Sequence, residues 1–315
     1  MITNKKILFI SFVLCLIFLG TSYTLSKQDK ALQSKKQLFP FNVISQFNTT
    51  NNINVVDHSQ KKRIRLFEQI DLNYLANLKI LSTQANITLI PSSEKTLKIE
   101  LSGYTSVKNP KEIFNIKQDN DDLIININKQ QKKANNVFTV NFNNSRDQLD
   151  LKVYVPTTLE IEFTQLQSIS GKIKIKDFNT EALNILSTSG KVDLKNVFTE
   201  STEIKTISGN VYIDQSSGLR LFESISGDLL FSQETKSFES DLFLKTTSGD
   251  VTLQYLDSSN FSLYSKTISG EVDSDFDHLT HKPLNNKTVK EQLKLPQIRF
   301  VSISGDLKIK KMKSI

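Results

Sequence analysis

"KTISGN", Lys205 to Asn210, holds one of only ten glycines in a chain of 315 residues. Near-copies recur as "QSISGK" (167–172), "LSTSGK" (186–191), "ESISGD" (223–228), "KTTSGD" (245–250), "KTISGE" (266–271) and "VSISGD" (301–306). Seven of the ten glycines therefore sit in one motif: Gly171, Gly190, Gly209, Gly227, Gly249, Gly270 and Gly305. Their spacings are 19, 19, 18, 22, 21 and 35 residues. A period near 20 is the signature of a repeat architecture.

Aligned on the glycine, the repeats obey position rules. The preceding residue is always Ser, and three back it is Ser or Thr. Two and four residues after the glycine come apolar pairs such as Val192/Leu194, Val211/Ile213 and Leu229/Phe231. The sixth repeat has Val272 but then Ser274, and five residues before its glycine it has Ser265 where the other six repeats are apolar. Period-2 alternation on both sides of a glycine reads as strand, corner, strand. A unit of about 20 residues cannot bury its apolar side alone, but stacked units can. The fold class is all-β: a β-solenoid or β-helix-like stack, with Val192 over Val211 over Leu229 as one ladder. The glycines are expected to supply a positive-φ corner on every rung. Gly305, last in sequence, is expected to end the stack. The residue after the glycine is always polar and is expected to face water.

With the repeats, the chain divides into four stretches. Ile7 to Leu25 is free of charge and long enough to cross a bilayer as a helix. It reads as an N-terminal membrane anchor or signal segment (1–25), and the small residues Gly20 and Ser22 leave cleavage open. A polar, basic linker follows (26–60). Residues 61–150 hold short β-like runs, a degenerate β-repeat region, and 151–315 hold the regular repeats. The charge is uneven. Residues 1–150 carry 20 Lys+Arg against 12 Asp+Glu, and 151–315 carry 20 against 21. Flanking positives are nearly balanced across the apolar segment, so charge alone leaves orientation open. The only cysteine is Cys15, so the rest of the chain needs neither disulfides nor a reducing compartment. We expect a single-pass cell-membrane protein with an extracytoplasmic domain, or a secreted one if the segment is cleaved.

The repeated "SISGD"-type corners, preceded by "LDLKVYVP" (149–156), resemble the bacterial "putative adhesin" domain family, a domain of unknown function. LiaG-type membrane-anchored proteins linked to envelope stress belong to it. "LKILSTQANITLIPSSEKTLKIELSG" (78–103) is similar to that family's opening repeat, with Gln84-Ala85-Asn86 standing where Ser-Gly-Asp is usual. The resemblance covers roughly 70–315. It implies an anchored envelope protein and brings no catalytic residues.

The functional candidates are few. Seven equivalent Ser/Thr pairs read as backbone-bonding hydroxyls at a bend rather than as a nucleophile, which needs one special serine with a base. "DSDFDHLTHK" (273–282) places Asp275, Asp277, His278 and His281 close together, the chain's one metal-like cluster, but its spacing matches no zinc site. No cofactor fingerprint is present, and no nucleic-acid partner is expected. Expected partners are the membrane, and an anionic envelope polymer or lipid or another envelope protein. The leading function is a non-enzymatic, adhesin-like binding or scaffold module. The alternative is a polysaccharide-active enzyme on a β-helix scaffold, which would need a groove with paired carboxylates.

Overall fold

The computed structural model describes residues 61–107, 109–128, 147–233, 240–256, 259, 261–276 and 296–312. The expected membrane segment and linker lie outside the described residues. So do Asp277, His278 and His281. Among the described residues no helix is long and apolar enough to cross a membrane.

The chain enters through β1 (Lys62–Asp71) and β2 (Tyr74–Ser82), then turns into β3 (Asn86–Ser92) and β4 (Thr96–Thr105). After a 3-10 turn at Pro110–Glu112 come β5 (Phe114–Asp119), β6 (Asp122–Ile127) and β7 (Gln148–Pro156). Regular rungs then follow, each a strand, a corner and a second strand. β8 (Glu160–Ser168) leads to β9 (Ile173–Asn179), and β10 (Ala182–Ser187) to β11 (Val192–Phe198). β12 (Ser201–Thr206) leads to β13 (Val211–Asp214), and β14 (Leu219–Ser224) to β15 (Leu229–Gln233). β16 (Leu242–Lys245) leads to β17 (Val251–Leu256), β18 (Ser262–Lys266) to β19 (Val272–Ser274), and β20 (Gln297–Val301) to β21 (Leu307–Met312).

The corners send alternate strands into two sheets. Sheet A has 11 strands in the order β1-β4-β7-β3-β9-β11-β13-β15-β17-β21-β19. Sheet B has 10, in the order β18-β20-β16-β14-β12-β10-β8-β2-β6-β5. The regular rungs pair in parallel and, apart from a register shift at Thr202/Glu203 where β12 meets β14, in constant register, so like stacks on like. Val192 lies on Val211, Val211 on Leu229, Leu229 on Val251 and Val251 on Leu307. In sheet B, Leu166, Ile185, Ile204, Phe222, Leu244 and Phe300 form the matching ladder. Every one of these side chains is buried. Burying an aliphatic or aromatic side chain of this size contributes about 1.5–3 kcal/mol. The apolar positions flanking the corner therefore hold the stack together.

The stacking order departs from the chain order at the C-terminal end. The β20–β21 rung, last in sequence, inserts between the β16–β17 rung and the β18–β19 rung. Gly305 is thus an interior corner and Gly270 the terminal one, which reverses the sequence expectation. The physical reason lies in the sixth repeat. Ser265 and Ser274 replace inward apolar residues there, so that rung offers the least apolar surface for two neighbours. It suits the end of a stack, where a more polar unit is required. The 35-residue spacing before Gly305 gives the chain the length to pass this rung and return. At the opposite end antiparallel pairs finish the sheets, β1 with β4, β4 with β7 and β5 with β6.

Candidate binding face

The corner glycines do not adopt the expected positive φ. Among the described glycines only Gly103 (φ 137°) and Gly218 (φ 86°) do so. The motif glycines answer to a steric demand instead. A Cβ built on Gly209 would lie 2.2 Å from the carbonyl oxygen of Gly190, and one on Gly190 would lie 2.0 Å from that of Gly171. The same clash repeats up the column through Gly227, Gly249, Gly305 and Gly270. Glycine is required because each corner rests on the one below it. Left-handed residues recur six positions after the glycine: Asp177 (φ 50°) within β9, Asn196 (φ 53°) within β11 and Gln215 (φ 49°) just after β13. Asn120 (φ 52°) holds the same conformation between β5 and β6.

The hydroxyls are consumed by the corner. Thr206, Ser224, Thr267 and Ser302 accept the N–H of Gly209, Gly227, Gly270 and Gly305 at 2.7–2.9 Å. Ser168 and Ser187 donate to the carbonyls of Gly171 and Gly190 at 2.9 and 2.8 Å. The degenerate corner keeps the device, with Ser82 accepting the N–H of Ala85 at 2.9 Å. The serine before each glycine ties rungs together. Ser189 sends both its N–H (2.8 Å) and its hydroxyl (3.1 Å) to the carbonyl of Ile169. Ser226 does the same to Ile207, and Ser304 to Thr247. Six of the seven motif hydroxyls bond the backbone of their own corner and the seventh, Thr246, donates to the Ser302 hydroxyl at 3.1 Å, so the set is a structural ladder.

The position after the glycine forms a third ladder. Asn210 accepts the N–H of Asp228 at 3.1 Å, Asp228 that of Asp250 at 3.0 Å, Asp250 that of Asp306 at 2.9 Å, and Asp306 that of Glu271 at 2.8 Å. The side chains are exposed or half-buried, as expected. In stack order this column reads Lys172, Lys191, Asn210, Asp228, Asp250, Asp306, Glu271. Sequence inspection records that each is polar but misses the sorting by sign. The order of signs is the same along the chain, because exchanging Glu271 and Asp306 changes no sign. The structure adds that these residues stand directly above one another.

The column borders the outward face of sheet A. On β9 and β11 that face carries Lys172, Lys174, Lys176, Lys191 and Lys195, all exposed. Lys195 pairs with Asp214 at 3.2 Å, Lys176 with Asp177 at 3.6 Å and Lys191 with Asp193 at 3.9 Å. Lys191 also lies 4.0 Å from the centre of the Tyr212 ring. Exposed pairs of this kind contribute little to stability. On sheet B, Lys205 pairs with Glu223 at 2.9 Å, and the register sets Lys245 beside Glu223. Burial lowers the Lys245 pKa, while Glu223 pulls it back up and Lys205 lowers it further. Tyr74 donates to Glu162, a bond that raises its pKa to about 12. Burial in the core pushes Tyr255 well above the usual tyrosine range.

Of the metal candidates only Asp275 is described. Its backbone N–H bonds to Ile309, and its carboxylate accepts the N–H of Lys311 at 3.1 Å. No metal-binding group of three or more His, Cys, Asp or Glu exists among the described residues.

The fold and corner chemistry define a two-sheet β-solenoid built on Ser-Gly corners. The chain belongs to the Toastrack DUF4097 family, whose model matches residues 75–221 and 165–310. No curated protein sequence matches it. Similar solved structures include one described as a putative lipid binding protein from Parabacteroides distasonis, at 18% identity and TM-score 0.44, covering 79% of this chain and 97% of that one. Another is a putative adhesin from Bacteroides fragilis, at 13% identity and TM-score 0.37, covering 79% and 97%. A third is a putative cell adhesion protein from Clostridium sporogenes, at 12% identity and TM-score 0.32, covering 80% and 100%. None is close enough to transfer a function.

Proposed function

We propose that this protein is a non-enzymatic, extracytoplasmic binding or scaffold module of the cell envelope, anchored by its N-terminal apolar segment. The observation that carries this reading is the fate of the repeated polar groups. The motif hydroxyls are engaged within the corners, six with backbone and Thr246 with Ser302, while the outward face of sheet A remains a broad, charged surface. That arrangement suits presentation of a surface and offers no nucleophile set apart from its copies. The carboxylate column lies on an exposed corner rather than in a groove, so the polysaccharide-active alternative gains no support from it. The basic stretch 27–65, with eight Lys and Arg against Asp29, Asp57, is the part suited to anionic lipid or wall polymer. Each such residue near an anionic surface contributes about 1 kcal/mol. A part in envelope stress follows from the family resemblance.

The test is protease accessibility in cells stripped of their outer barrier, with a cytoplasmic protein as control. Digestion of the solenoid while the control survives is the expected result. Full protection of both would overturn the extracytoplasmic placement.

A further inference from the structure

Like charges stack directly on like charges along the glycine corner. The register sets Lys172 opposite Lys191 at the corner and, farther along the strands, Lys176 opposite Lys195, while Lys174 meets Asp193 between them. The next-rung hydrogen bonds then place Asp228, Asp250, Asp306 and Glu271 one above another. Like charges placed directly across neighbouring strands are destabilising. Alternating the signs would remove that cost, and Asn86 and Asn210 show that a neutral residue also completes the ladder. The corner column instead is positive at Lys172 and Lys191, neutral at Asn210, and acidic from Asp228 to Glu271. Farther along the face, Asp193 and Asp214 stand among the lysines, and Lys308 and Lys310 of β21 behind the acids. The middle of the face carries Asn210, Tyr212, which is 37% exposed, and the half-buried Leu230.

We propose that the outward face of sheet A is a self-complementary interface that pairs two copies of this chain in antiparallel fashion. An isologous contact needs one patch whose two halves match each other. A two-fold axis along β13 meets that need. It sets Lys191 against Asp228 of the second copy and Lys172 against Asp250 of the second copy, and each contact occurs twice. Tyr212 then meets its own copy at the centre with the charged corner pairs along one side, and Asp214, set against its own copy beyond Tyr212, is neutralised by Lys195 at 3.2 Å. The available area is adequate. With the axis on β13, four strands on each side and β13 itself overlap, and at about 4.8 Å spacing with three outward columns about 6.8 Å apart they give roughly 600–900 Å² per copy, the range of a standard interface. A polyanion would satisfy only the lysine half and a polycation only the acidic half. A second copy satisfies both.

The test uses the full chain in detergent micelles. Three proteins share the same N-terminal segment: the parent, Lys172→Glu/Lys191→Glu, and Asp228→Lys/Asp250→Lys. Lysine at this position is compatible with the corner, because Lys191 and Lys172 already occupy it two and three rungs from Asp228. Thermal melts report that each variant folds, and Asp228→Asn/Asp250→Asn, which keeps the acceptor oxygens, serves as a milder acidic-side variant. Sedimentation in low salt is expected to show a dimer for the parent that dissociates as salt rises. Each variant is expected to associate on the order of tenfold or more weakly, and an equimolar mixture of the two charge-reversed variants to recover the dimer. A parent that stays monomeric at about 0.1 mM in low salt overturns the proposal. So do variants that associate as the parent does, or a mixture that stays monomeric beside a dimeric parent.

Discussion

The carbonyl oxygen of Gly190 lies 2.2 Å from the point a Cβ on Gly209 would occupy, so the two corners touch backbone to backbone. Gly209→Ala must push the two rungs apart within a stack packed on both sides. The expected cost is about 1–3 kcal/mol, typical of inserting a methyl where no space exists. Gly270→Ala meets the Gly305 carbonyl at 2.1 Å. No described rung lies beyond Gly270, so its rung can retreat and the cost should be smaller. Gly305→Ala should behave like Gly209→Ala, because Gly305 is interior. Melting curves of the three variants check the order. Equal melting of Gly270→Ala and Gly305→Ala would contradict the inserted rung.

How much of this was legible beforehand follows from the same corners. The all-β class, the strand-corner-strand unit and the apolar ladder are readable because burial forces the apolar positions into a fixed pattern around the glycine. The order of the last two rungs is not, because near-identical repeats accept one another as neighbours and chain adjacency is the only guide. Ser265 and Ser274 were the available clue, two polar exceptions in one repeat. The role of glycine was misassigned because sequence records a missing Cβ without recording why it is missing. A turn conformation and a close approach leave the same letter. The sign order of the corner column is already in the sequence, Lys172 and Lys191 before Asn210 and the acids after it; what the sequence lacks is the register that stacks these residues into one row.

Thr206 accepts the Gly209 N–H at 2.9 Å inside the corner. Thr206→Val keeps the shape and strands that donor, a loss of about 1–3 kcal/mol. Ser208→Ala should cost less. The Thr188 carbonyl that its hydroxyl approaches at 3.5 Å already receives the Ser208 N–H at 2.9 Å. Denaturant titrations of the two variants distinguish them. A larger loss for Ser208→Ala would mean that the inter-rung serine, rather than the intra-corner hydroxyl, fixes the turn.

Gln215 occupies the left-handed region, φ 49°, where the equivalent rungs have Asp177 and Asn196. Asn and Asp visit this conformation more readily than residues with longer side chains, whose penalty is about 1–2 kcal/mol. Gln215→Asn is therefore expected to stabilise the protein by up to about 1 kcal/mol. Asn196→Val, placing a β-branched residue at φ 53°, should destabilise it. It also removes the bond from the Asn196 amide to Asp177 at 2.6 Å. Paired thermal melts read both directions, and a lower melting point for Gln215→Asn would refute the conformational account.

Lys245 is buried to 5% exposure on sheet B, and that burial is the main cause of its lowered pKa. The folded protein therefore releases this proton more readily than the unfolded chain, whose lysine titrates at the ordinary value of 10.5. Between the lowered folded value and 10.5, the unfolded state binds more protons, so the Lys245 contribution makes stability rise with pH through that window. Near neutral pH the charged ammonium is held at a cost that Glu223 only partly offsets. Lys245→Met keeps most of the volume and removes the buried charge, while Glu223 retains Lys205 at 2.9 Å. The variant is expected to melt at the same temperature or higher near neutral pH, and to lose this part of the alkaline rise in stability. Melting measured from neutral to strongly alkaline pH tests both features. A variant several degrees less stable near neutral pH would show that attraction between Lys245 and Glu223 outweighs the desolvation of the ammonium.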